Sequence, residues 1–444
     1  MPVHLAFDDT DSTSSMCTTF LATEVLRETD LDLIGLPRLV RLNPAVPWKT
    51  RGNGAVCMTL GRGGGTGRQV GIIGERRVLS YPRSHGRVAD PHEALRDTVS
   101  RWARVSEGAD PGMITSFRKP PQWLYWKGVR DLLGREEVEA ALRGISARYS
   151  GLGSCRGVIG AAAAMAWRPR DRTYELLAYR PEGRWGLERE LDPGSVRGMD
   201  RACPGTFNNC DREGVAIAPS SPCPVLYGIR GDDPQELFRA REMIRSETAE
   251  RYLLFLTNQG TDDHVLWRWN SLVPGRSYSV EGEVTGEARD LPGGHAVVTI
   301  RTAQGRLECT AYEPSKGFRE VLRSLFPGDR VRVVGELREI PLTLNVEKLE
   351  VISLAEWVRK TGNPLCPSCG RRMKSVGREQ GYRCRHCGTK AREGEEETVT
   401  VGRDLTKGWY EPPVCARRHL SRPLSRGKGG RLRSRSNTAS DNFL

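Results

Sequence analysis

Four cysteines near the carboxyl end of the chain have the spacing of a structural zinc site. Cys366 and Cys369 form one C-x-x-C pair, Cys384 and Cys387 form a second, and fourteen residues separate the two pairs. A glycine follows each pair at the tight turn that a zinc knuckle needs, and four thiolates in this pattern bind Zn²⁺ tetrahedrally, as in a zinc ribbon. Because all four ligand positions are filled, the sequence predicts a site that stabilises and binds rather than reacts.

A second candidate site is the acidic run at residues 8–12, DDTDS, which directly follows a strand-like segment, VHLAF. Its carboxylates are Asp8, Asp9 and Asp11. Several carboxylates at the end of a strand suit Mg²⁺, which takes oxygen ligands and commonly bridges to nucleotide phosphates. Acidic turns that only cap the next helix are also common, so this alternative stays open.

Thr18 stands shortly after the acidic run, at the start of a helix predicted from about Met16. If Ser15 caps that helix, Thr18 lies in its first turn, where free backbone N–H groups and the positive dipole end stabilise a phosphoryl group. The hydroxyl would then neighbour the magnesium site. The alternative is that Thr18 and Thr19 are ordinary first-turn residues.

The segment 41–54 is a candidate phosphate-binding loop before a predicted strand at 55–60. It combines two prolines, which pre-form the loop, with glycines that let the backbone approach a ligand and with the cations Lys49 and Arg51, which attract phosphate. The residues predicted to bind ATP phosphates are Lys49, Arg51, Gly52, Asn53 and Gly54. The glycine-rich stretch 61–67 lacks the Lys-Ser/Thr ending of a P-loop and is predicted to be a flexible turn.

The elements around these motifs predict a multidomain α+β protein with an N-terminal α/β domain at residues 1–120. Residues 121–265 are expected to form a ferredoxin-like domain, whose plain β-α-β unit comprises strands at 225–229 and 252–256 and a helix at 234–245. The other expected elements are helices at 90–105 and 135–149 and strands at 158–167 and 174–179.

After Gly275 the pattern changes to short strands with turn signals, which predicts a β-barrel at residues 275–355. Five strands with a helix between the third and fourth is the order of an oligonucleotide-binding (OB) fold, although another small Greek-key barrel is possible. The expected elements are strands at 277–284, 295–301, 307–311, 330–335 and 342–351 and a helix at 318–325. The zinc ribbon is assigned to 360–395 and a basic tail to 396–444.

Charge favours a polyanionic partner. The 444-residue chain has a net charge of +13, and 58 of its 68 cations are Arg, whose planar fork suits phosphates. Eight basic and no acidic residues lie between Arg417 and Arg435, a segment that could bind RNA or simply aid solubility. The longest apolar run has 11 residues, too short for a membrane span, and the start of the chain predicts no secretory leader. The few scattered cysteines indicate a reducing cytoplasm.

Several motifs in one order resemble a known family, the archaeal isoleucine-tRNA 2-agmatinylcytidine synthetases. They extend over nearly the whole chain and include the zinc ribbon. The others are DDTDS with MCTT at 16–19, RLNPAVPWKTRGNGA at 41–55, CPVLYGIRG at 223–231, TNQGTDDH at 257–264 and PPVCARRHLSRPL at 412–424.

The resemblance implies an enzyme that uses ATP to condense agmatine with the wobble cytidine of an isoleucine tRNA with a CAU anticodon, by phosphorylation of the cytosine 2-carbonyl oxygen. It implies a kinase-like N-terminal domain in which Asp8, Asp9 and Asp11 surround magnesium and triphosphate and Thr18 becomes autophosphorylated. Agmatine requires acceptor groups, and the candidates for its pocket are Thr206, Phe207, Asn208, Asn209 and Asp211. A packed loop is the alternative for that segment.

Two other functional classes remain open on the residues alone. One is a non-catalytic RNA-binding protein built from barrel and ribbon, in which the aspartates only form a turn. The other is a magnesium nuclease that uses the aspartates as a two-metal clamp. Labelling of Thr18 by ATP separates the enzyme from the binder, and shortening of RNA without ATP identifies the nuclease.

Overall fold

The computed structural model describes residues 1–49, 52–212, 214–377 and 379–427. These residues form a mixed α+β structure with two large sheets, a smaller cysteine-bearing unit and a two-stranded ribbon. The α-helices in the described residues are Thr18–Glu28, His92–Trp102, Trp123–Arg130, Arg135–Gly144, Gly157–Ala166, Pro193–Ala202, Pro234–Met243 and Phe318–Arg323. None of the helices in this part of the chain has the length and apolar content of a membrane span.

The first sheet extends through the amino-terminal half of the chain. Its main path, in spatial order, is Thr206–Phe207, Val225–Gly231, Thr173–Tyr179, Arg251–Thr257, Arg68–Ile73, Arg76–Tyr81, Asp32–Ile34, Gly54–Gly64, Val3–Asp8, Gly112–Ser116 and Arg148–Gly151. Two further strands join it from the side, namely Arg38–Arg41 and Arg83–His85.

The strand Val3–Asp8 lies between two antiparallel neighbours and is covered on both faces. Leu5 and Phe7 belong to a buried cluster with residues of the helices Thr18–Glu28 and His92–Trp102. Ala6 belongs to a second cluster, with the helix Gly157–Ala166. Because successive side chains of a strand point to opposite faces, this alternation places Asp8 at the end of a strand that helices cover on both sides.

The prediction of a strand at 158–167 is wrong, because this run forms the helix Gly157–Ala166. Every residue from Ala161 to Ala166 is fully buried. An apolar run that is buried on all sides has no period that separates strand from helix, and alanine has the highest helix propensity. The helix contacts Val3–Asp8 and Gly112–Ser116, so it packs on the amino-terminal strands.

The second half of the first sheet contains the expected β-α-β unit, with strands Val225–Gly231 and Arg251–Thr257 on either side of Thr173–Tyr179. The connecting helix Pro234–Met243 begins with proline, and the Asp233 side chain accepts a hydrogen bond from Gln235 N at 3.0 Å. Arg251–Thr257 also pairs with Arg68–Ile73. The two halves therefore share one continuous sheet.

Five strands of the second sheet close into a barrel: Ser277–Val284, His295–Thr302, Gly305–Ala311, Arg330–Arg338 and Thr343–Ser353. Ser277–Val284 pairs with both Arg330–Arg338 and His295–Thr302, and the parallel pairing of Gly305–Ala311 with Thr343–Ser353 completes the circuit. The helix Phe318–Arg323 lies between the third and fourth strands. The other strands of this second sheet are Val265–Leu266, Arg289–Leu291 and Gly408–Tyr410. The two-stranded ribbon comprises Val358–Gly362 and Glu397–Thr400, and the cysteine-bearing unit contains Lys374–Ser375, Tyr382–Arg383 and Lys390–Ala391.

The glycine-rich stretch 61–67 differs in part from the predicted flexible turn. The strand Gly54–Gly64 continues into its first four residues and pairs there with Arg83–His85, and only residues 65–67 turn towards the next strand, Arg68–Ile73. A Cβ at Gly63 would lie 2.5 Å from the Tyr81 ring, so the absence of side chains lets the two strands pack against this aromatic residue. Backbone pairing and close packing, neither visible in composition, decide the local structure.

The carboxyl-terminal segment also differs from a solvated basic tail, because residues 408–426 pack against the body of the protein. Gly408–Tyr410 adds a strand to Thr343–Ser353, and Leu420 is only 2% exposed. Arg426 pairs with Asp171 and Asp232, each at 2.7 Å. Part of the basic charge is therefore used inside the fold, and residues 428–444 of the predicted tail lie outside the described residues.

Candidate functional site

The acidic loop leaves the strand Val3–Asp8 through a tight turn. Asp9 has φ of 54°, in the left-handed region. Ser12 is fully buried and its hydroxyl accepts hydrogen bonds from Ser15 N at 2.9 Å and Met16 N at 3.1 Å. This turn fixes the path of the loop before the next helix, so the acidic run is an ordered structure rather than a solvated hairpin.

The backbone of the helix Gly157–Ala166 lies directly against Asp8. A Cβ at Gly157 would lie 2.4 Å from the Asp8 carbonyl oxygen, and a Cβ at Gly160 would lie 1.8 Å from Asp8 Oδ2. Any side chain in either place would displace the aspartate. Two glycines on one side of the helix therefore make room for the carboxylate.

Arg156 precedes that helix and forms an ion pair with the acidic loop. Its Nε and Nη2 atoms donate to Asp9 Oδ2 at 3.0 and 2.7 Å. The Asp9 side chain is 13% and the Arg156 side chain 32% exposed, so the pair is only partly screened by solvent. This contact joins residues that are almost 150 positions apart and holds a cation at the site.

An acidic cavity of about 90 Å³ is centred on these groups. Its lining brings together residues of the acidic loop and of the predicted phosphate loop. Gly54 of the predicted phosphate loop lines the cavity. The charged and amide side chains in the lining are those of Asp8, Asp9, Asp11, Lys49, Asn53, Asp131 and Arg156. The structure therefore places most of the residues predicted for magnesium and phosphate around one cavity.

The electrostatics of the acidic cavity favour a cation. Burial raises the pKa of the Asp8 carboxyl well above its ordinary value, and the neighbouring charge of Asp9 raises it further. Carboxylates that lie close together in a poorly solvated place repel one another, and a bound divalent cation stabilises their ionised forms. Magnesium prefers oxygen ligands such as these carboxylates. Asp8, Asp9 and Asp11 are thus suitable ligands for magnesium.

Thr18 lies in the first turn of its helix, but the residue before the helix differs from the predicted Ser15. Cys17, not Ser15, is the residue that precedes the helix, and Thr18 is its first residue. Thr18 is 4% exposed and its hydroxyl accepts a hydrogen bond from Thr10 Oγ1 at 3.1 Å. In this conformation the Thr18 hydroxyl is inside the protein, behind the acidic loop.

The predicted phosphate loop contributes to the acidic cavity at several points. Lys49 Nζ donates to backbone carbonyl groups of its own loop, those of Pro44 and Val46. Asn53 has φ of 46° and its side chain donates to Asn43 O at 2.8 Å. Gly54 also lines the acidic cavity, whereas Gly52 lines a neighbouring one. Arg51 lies outside the described residues.

The candidates for the agmatine pocket lie at the far edge of the first sheet and line neither cavity. Thr206 and Phe207 are 8% and 4% exposed. Asn208 Oδ1 accepts from Arg417 at 2.8 Å and Asp211 Oδ2 accepts from Val414 N at 2.5 Å. The carboxyl-terminal segment therefore engages Asn208 and Asp211, whereas Asn209 donates to Asp200 at 2.9 Å and to Thr206 at 2.7 Å.

The four predicted zinc ligands come together as expected. The sulfur atoms of Cys366, Cys369, Cys384 and Cys387 all lie within 4.8 Å of one another. Their closest approaches are 3.4, 3.5 and 3.7 Å. Four ligands at about 2.3 Å from zinc would be about 3.8 Å apart at the corners of a tetrahedron, so the arrangement is suited to that ion.

The glycines after the cysteine pairs shape the two knuckles. Gly370 and Gly388 have φ of 69° and 77°, and their N–H groups donate to the carbonyl groups of Cys366 and Cys384 at 2.8 and 3.0 Å. A residue with a side chain is strained at such angles. The sequence prediction for this site is confirmed by the geometry of its backbone.

The sequence predictions did not include Arg156, Gly157 and Gly160. The signal that could have found them is the segment GLGSCRG at 151–157, a glycine-rich turn before an apolar run. Such a turn often opens a helix, and a helix start near a carboxylate loop indicates a site. A strand at 158–167 would give these glycines no role, whereas in the observed helix they lie against Asp8.

Three family models match consecutive parts of the chain. They are described as the TiaS TCKD domain at residues 4–154, the TiaS FLD domain at residues 155–264 and the TiaS C-terminal zinc ribbon domain at residues 363–405. The acidic loop thus lies in the first matched region, and Arg156, with which it pairs, lies in the second.

Two curated relatives are similar over nearly the full length of both chains. The isoleucine-tRNA 2-agmatinylcytidine synthetase TiaS of Archaeoglobus fulgidus is 40% identical, over 96% of this chain and 98% of the relative. The protein of the same name from Methanocaldococcus jannaschii is 36% identical, over 95% of this chain and 97% of the relative.

Solved structures of TiaS are also similar to this chain over nearly its full length. A crystal structure of TiaS in complex with an isoleucine tRNA and ATP has a TM-score of 0.82 and 37% identity, and covers 98% of this chain and 99% of its own. A complex of TiaS with an isoleucine tRNA, AMPCPP and agmatine has a TM-score of 0.79 and 34% identity, and covers 96% and 97% of the two chains. The resemblance drawn from the motifs is confirmed, and the chain belongs to the TiaS family of isoleucine-tRNA 2-agmatinylcytidine synthetases.

Proposed function

We propose that this protein is an ATP-dependent tRNA-modifying ligase that condenses agmatine with the wobble cytidine of an isoleucine tRNA with a CAU anticodon, forming 2-agmatinylcytidine. The observation that carries the proposal is the acidic cavity, where three aspartates of one strand end face a cationic, glycine-containing loop. Family membership supports the same activity, since the relatives are named for it.

The reaction needs activation of a poor leaving group. Replacement of the cytosine 2-carbonyl oxygen by an amine fails directly, whereas transfer of a phosphoryl group from ATP to that oxygen creates a group that can leave. Such a transfer requires in-line positioning and neutralisation of charge on the non-bridging phosphate oxygens. Lys49 and Arg156 supply positive charge beside the acidic cavity, and Gly54 lets the backbone approach the phosphates.

Magnesium would be held by Asp8, Asp9 and Asp11 and, when bound, would supply charge neutralisation at the triphosphate. The raised pKa of Asp8 supports this assignment, because the crowded carboxylates need a cation to stay ionised together. Thr18 is the proposed site of autophosphorylation. Since its hydroxyl is buried against Thr10, phosphorylation would require the acidic loop to open.

The incoming amine sets a further demand. With a pKa close to that of lysine, about 10.4, release of its neutral form at pH 7 costs on the order of 4.6 kcal/mol. A nearby base or a desolvating pocket must meet this cost. The segment 206–211 remains our predicted contact for the guanidinium group, and Asp211 could offer its carboxylate only after residues 412–417 moved away.

We also propose a fold family for each of the three larger units. We assign the amino-terminal strands and their helices to a kinase-like domain, the β-α-β unit around Thr173–Tyr179 to a ferredoxin-like domain, and the barrel to an OB fold. OB folds bind single-stranded nucleic acid with stacking surfaces and phosphate contacts. A cytoplasmic location agrees with the cysteines of the described residues, none of which is joined to another by a disulfide bond.

The test is the reaction itself. Purified protein, isoleucine tRNA transcript, ATP and agmatine should yield a wobble nucleoside whose mass shows the added agmatine. Asp8→Ala should abolish the product and ATP consumption, whereas Asp97→Ala, an exposed carboxylate on the helix His92–Trp102, should leave both unchanged. Normal modification by Asp8→Ala would refute the assignment, and RNA shortening without ATP would indicate a nuclease.

A further inference from the structure

A second cavity of about 660 Å³ lies beside the acidic one. Its walls come from three parts of the chain, namely the loop 41–49, the end of the barrel strand Arg330–Arg338 and the carboxyl-terminal segment 417–420. The charged residues in its lining are Arg41, Lys49, Glu336, Arg338, Arg417 and Arg418. This volume is in the range of cavities that bind small molecules or a nucleotide, about 300–1,000 Å³.

Two of these cations already have carboxylate partners. Arg417 pairs with Glu411 at 2.9 Å. Arg418 pairs with Glu336 and, at 3.2 Å, with Glu347. Glu336 is the one carboxylate among the described residues that line the cavity, and this contact engages it. The remaining cations therefore set the charge of the cavity.

Arg41, Lys49 and Arg338 are those remaining cations. Arg41 Nη1 donates to Gly52 O at 3.3 Å, while its buried Nε has no hydrogen-bond partner within the described ranges. Lys49 donates to backbone carbonyl groups of Pro44 and Val46. Arg338 is 48% exposed and lies 4.0 Å from the already paired Glu336. An unmatched buried guanidinium N–H and two lightly engaged cations favour an anionic ligand.

The position of the cavity limits what that anion is. Lys49 lines both this cavity and the acidic one, so the two are separated by the width of a single loop. The dication agmatine is disfavoured here because the lining carries an excess of positive charge. The long polyanion of the proposed reaction is the RNA strand, whose target base must reach the phosphoryl donor in the acidic cavity.

We propose that this cationic cavity binds backbone phosphates of the RNA strand next to the reacting nucleotide, an inference that rests on the proposed function. Arg41 and Arg338 make the contacts, since the planar guanidinium fork matches phosphate oxygens. The carboxyl-terminal segment thereby becomes a wall of the RNA site.

The experiment measures binding of an unmodified isoleucine tRNA transcript by fluorescence anisotropy between 50 and 500 mM salt. Arg338→Glu is the first variant. Its matched control is Arg330→Glu, which is also exposed but lies at the other end of the same strand, about 26 Å away at about 3.3 Å per residue. Loss of one phosphate contact should reduce the log–log salt slope by about 0.7 and weaken binding about fivefold at 0.1 M salt. ATP binding should not change.

A second variant, Arg41→Gln, removes the charge from inside the cavity and should also flatten the salt slope. If Arg338→Glu and Arg41→Gln bind the transcript with the wild-type slope, or if Arg330→Glu weakens binding as much as they do, the cavity is not a phosphate site. Failure of the proposed function is a separate result. Absence of the modified nucleoside with the wild-type protein would overturn the function, while the salt slopes of the variants would still decide the cavity.

Discussion

The substitution Gly160→Ala tests whether the Gly157–Ala166 helix positions Asp8, the carboxylate that we propose as a magnesium ligand. In most helices this change stabilises the protein by about 1 kcal/mol, because alanine has the higher propensity. Here the new Cβ would lie 1.8 Å from Asp8 Oδ2, whereas ordinary contacts begin near 3.4 Å, so the carboxylate must move by about 1.6 Å. A misplacement of about 1 Å can reduce an enzymatic rate about 100-fold. We expect at least that loss in the rate of tRNA modification.

The matched control is Gly198→Ala, in the interior of the helix Pro193–Ala202, where a Cβ would meet nothing within 4 Å. It should raise the free energy of unfolding by about 1 kcal/mol and leave the rate unchanged. Rates come from the mass of the wobble nucleoside over time, and stability comes from urea unfolding followed by circular dichroism. A Gly160→Ala protein that is folded and as fast as Gly198→Ala would refute the role assigned to this contact.

Three further outcomes follow from the structure. Cys384→Ser should lose the single zinc ion per chain, measured by mass spectrometry of the metal, and should leave the main thermal transition in place, since the zinc unit is a separate small core. Burial raises the pKa of Glu347, but His264 and Arg418 lower it more, to about 2. Stability of about 3 kcal/mol should therefore be lost as pH falls from about 4.5 towards 2, and urea unfolding of Glu347→Gln should show a weaker pH dependence in that window. Deletion of residues 428–444, which removes four cations, should reduce the salt slope of tRNA binding by up to about 2.8, and an unchanged slope would show that these residues do not contact RNA.

The barrel and the β-α-β unit could be predicted from the sequence because their signals are local. The strands of the barrel are short runs rich in apolar residues and are separated by turn residues, so their observed bounds differ from the predicted ones by only a few residues. The cysteine knuckles are likewise local. Each cysteine pair and the glycine after it specify their own turn. Only the approach of one pair to the other depends on the fold of the whole unit.

The helix Gly157–Ala166 shows where local reasoning fails. Its residues are apolar on every side because the sheet and the helix Trp123–Arg130 surround it, and a fully buried element has no polar face to reveal its period. The residues by which this helix contacts the acidic loop are equally hidden in the sequence. Arg156 and Gly160 act on Asp9 and Asp8 across about 150 residues of chain, and no spacing in the sequence reports such a contact.

The basic carboxyl-terminal segment differs from the prediction for a related reason, because composition counts charges but does not show their partners. Arg422 and Arg426 both pair with Asp171, and Arg426 also pairs with Asp232. These cations hold the segment on the first sheet and are not available to RNA. The charge excess therefore overstates the RNA surface that residues 412–426 offer.

Ion pairs between the units also determine the geometry of the site. Lys348 of the barrel donates to Asp262 at 2.8 and 2.6 Å, and His264 contacts Glu347 at 2.9 Å. Removal of one partner from a buried pair leaves an uncompensated charge, at a cost of about 3–5 kcal/mol. These contacts join the barrel to the end of the strand Arg251–Thr257, and Arg418 joins the carboxyl-terminal segment to the same Glu347. Arg338 lies on the barrel, and Lys49 lies on the loop that follows the strand Arg38–Arg41. The two residues line one cavity only while these contacts hold the barrel against the first sheet, so the buried pairs support RNA binding without contacting RNA.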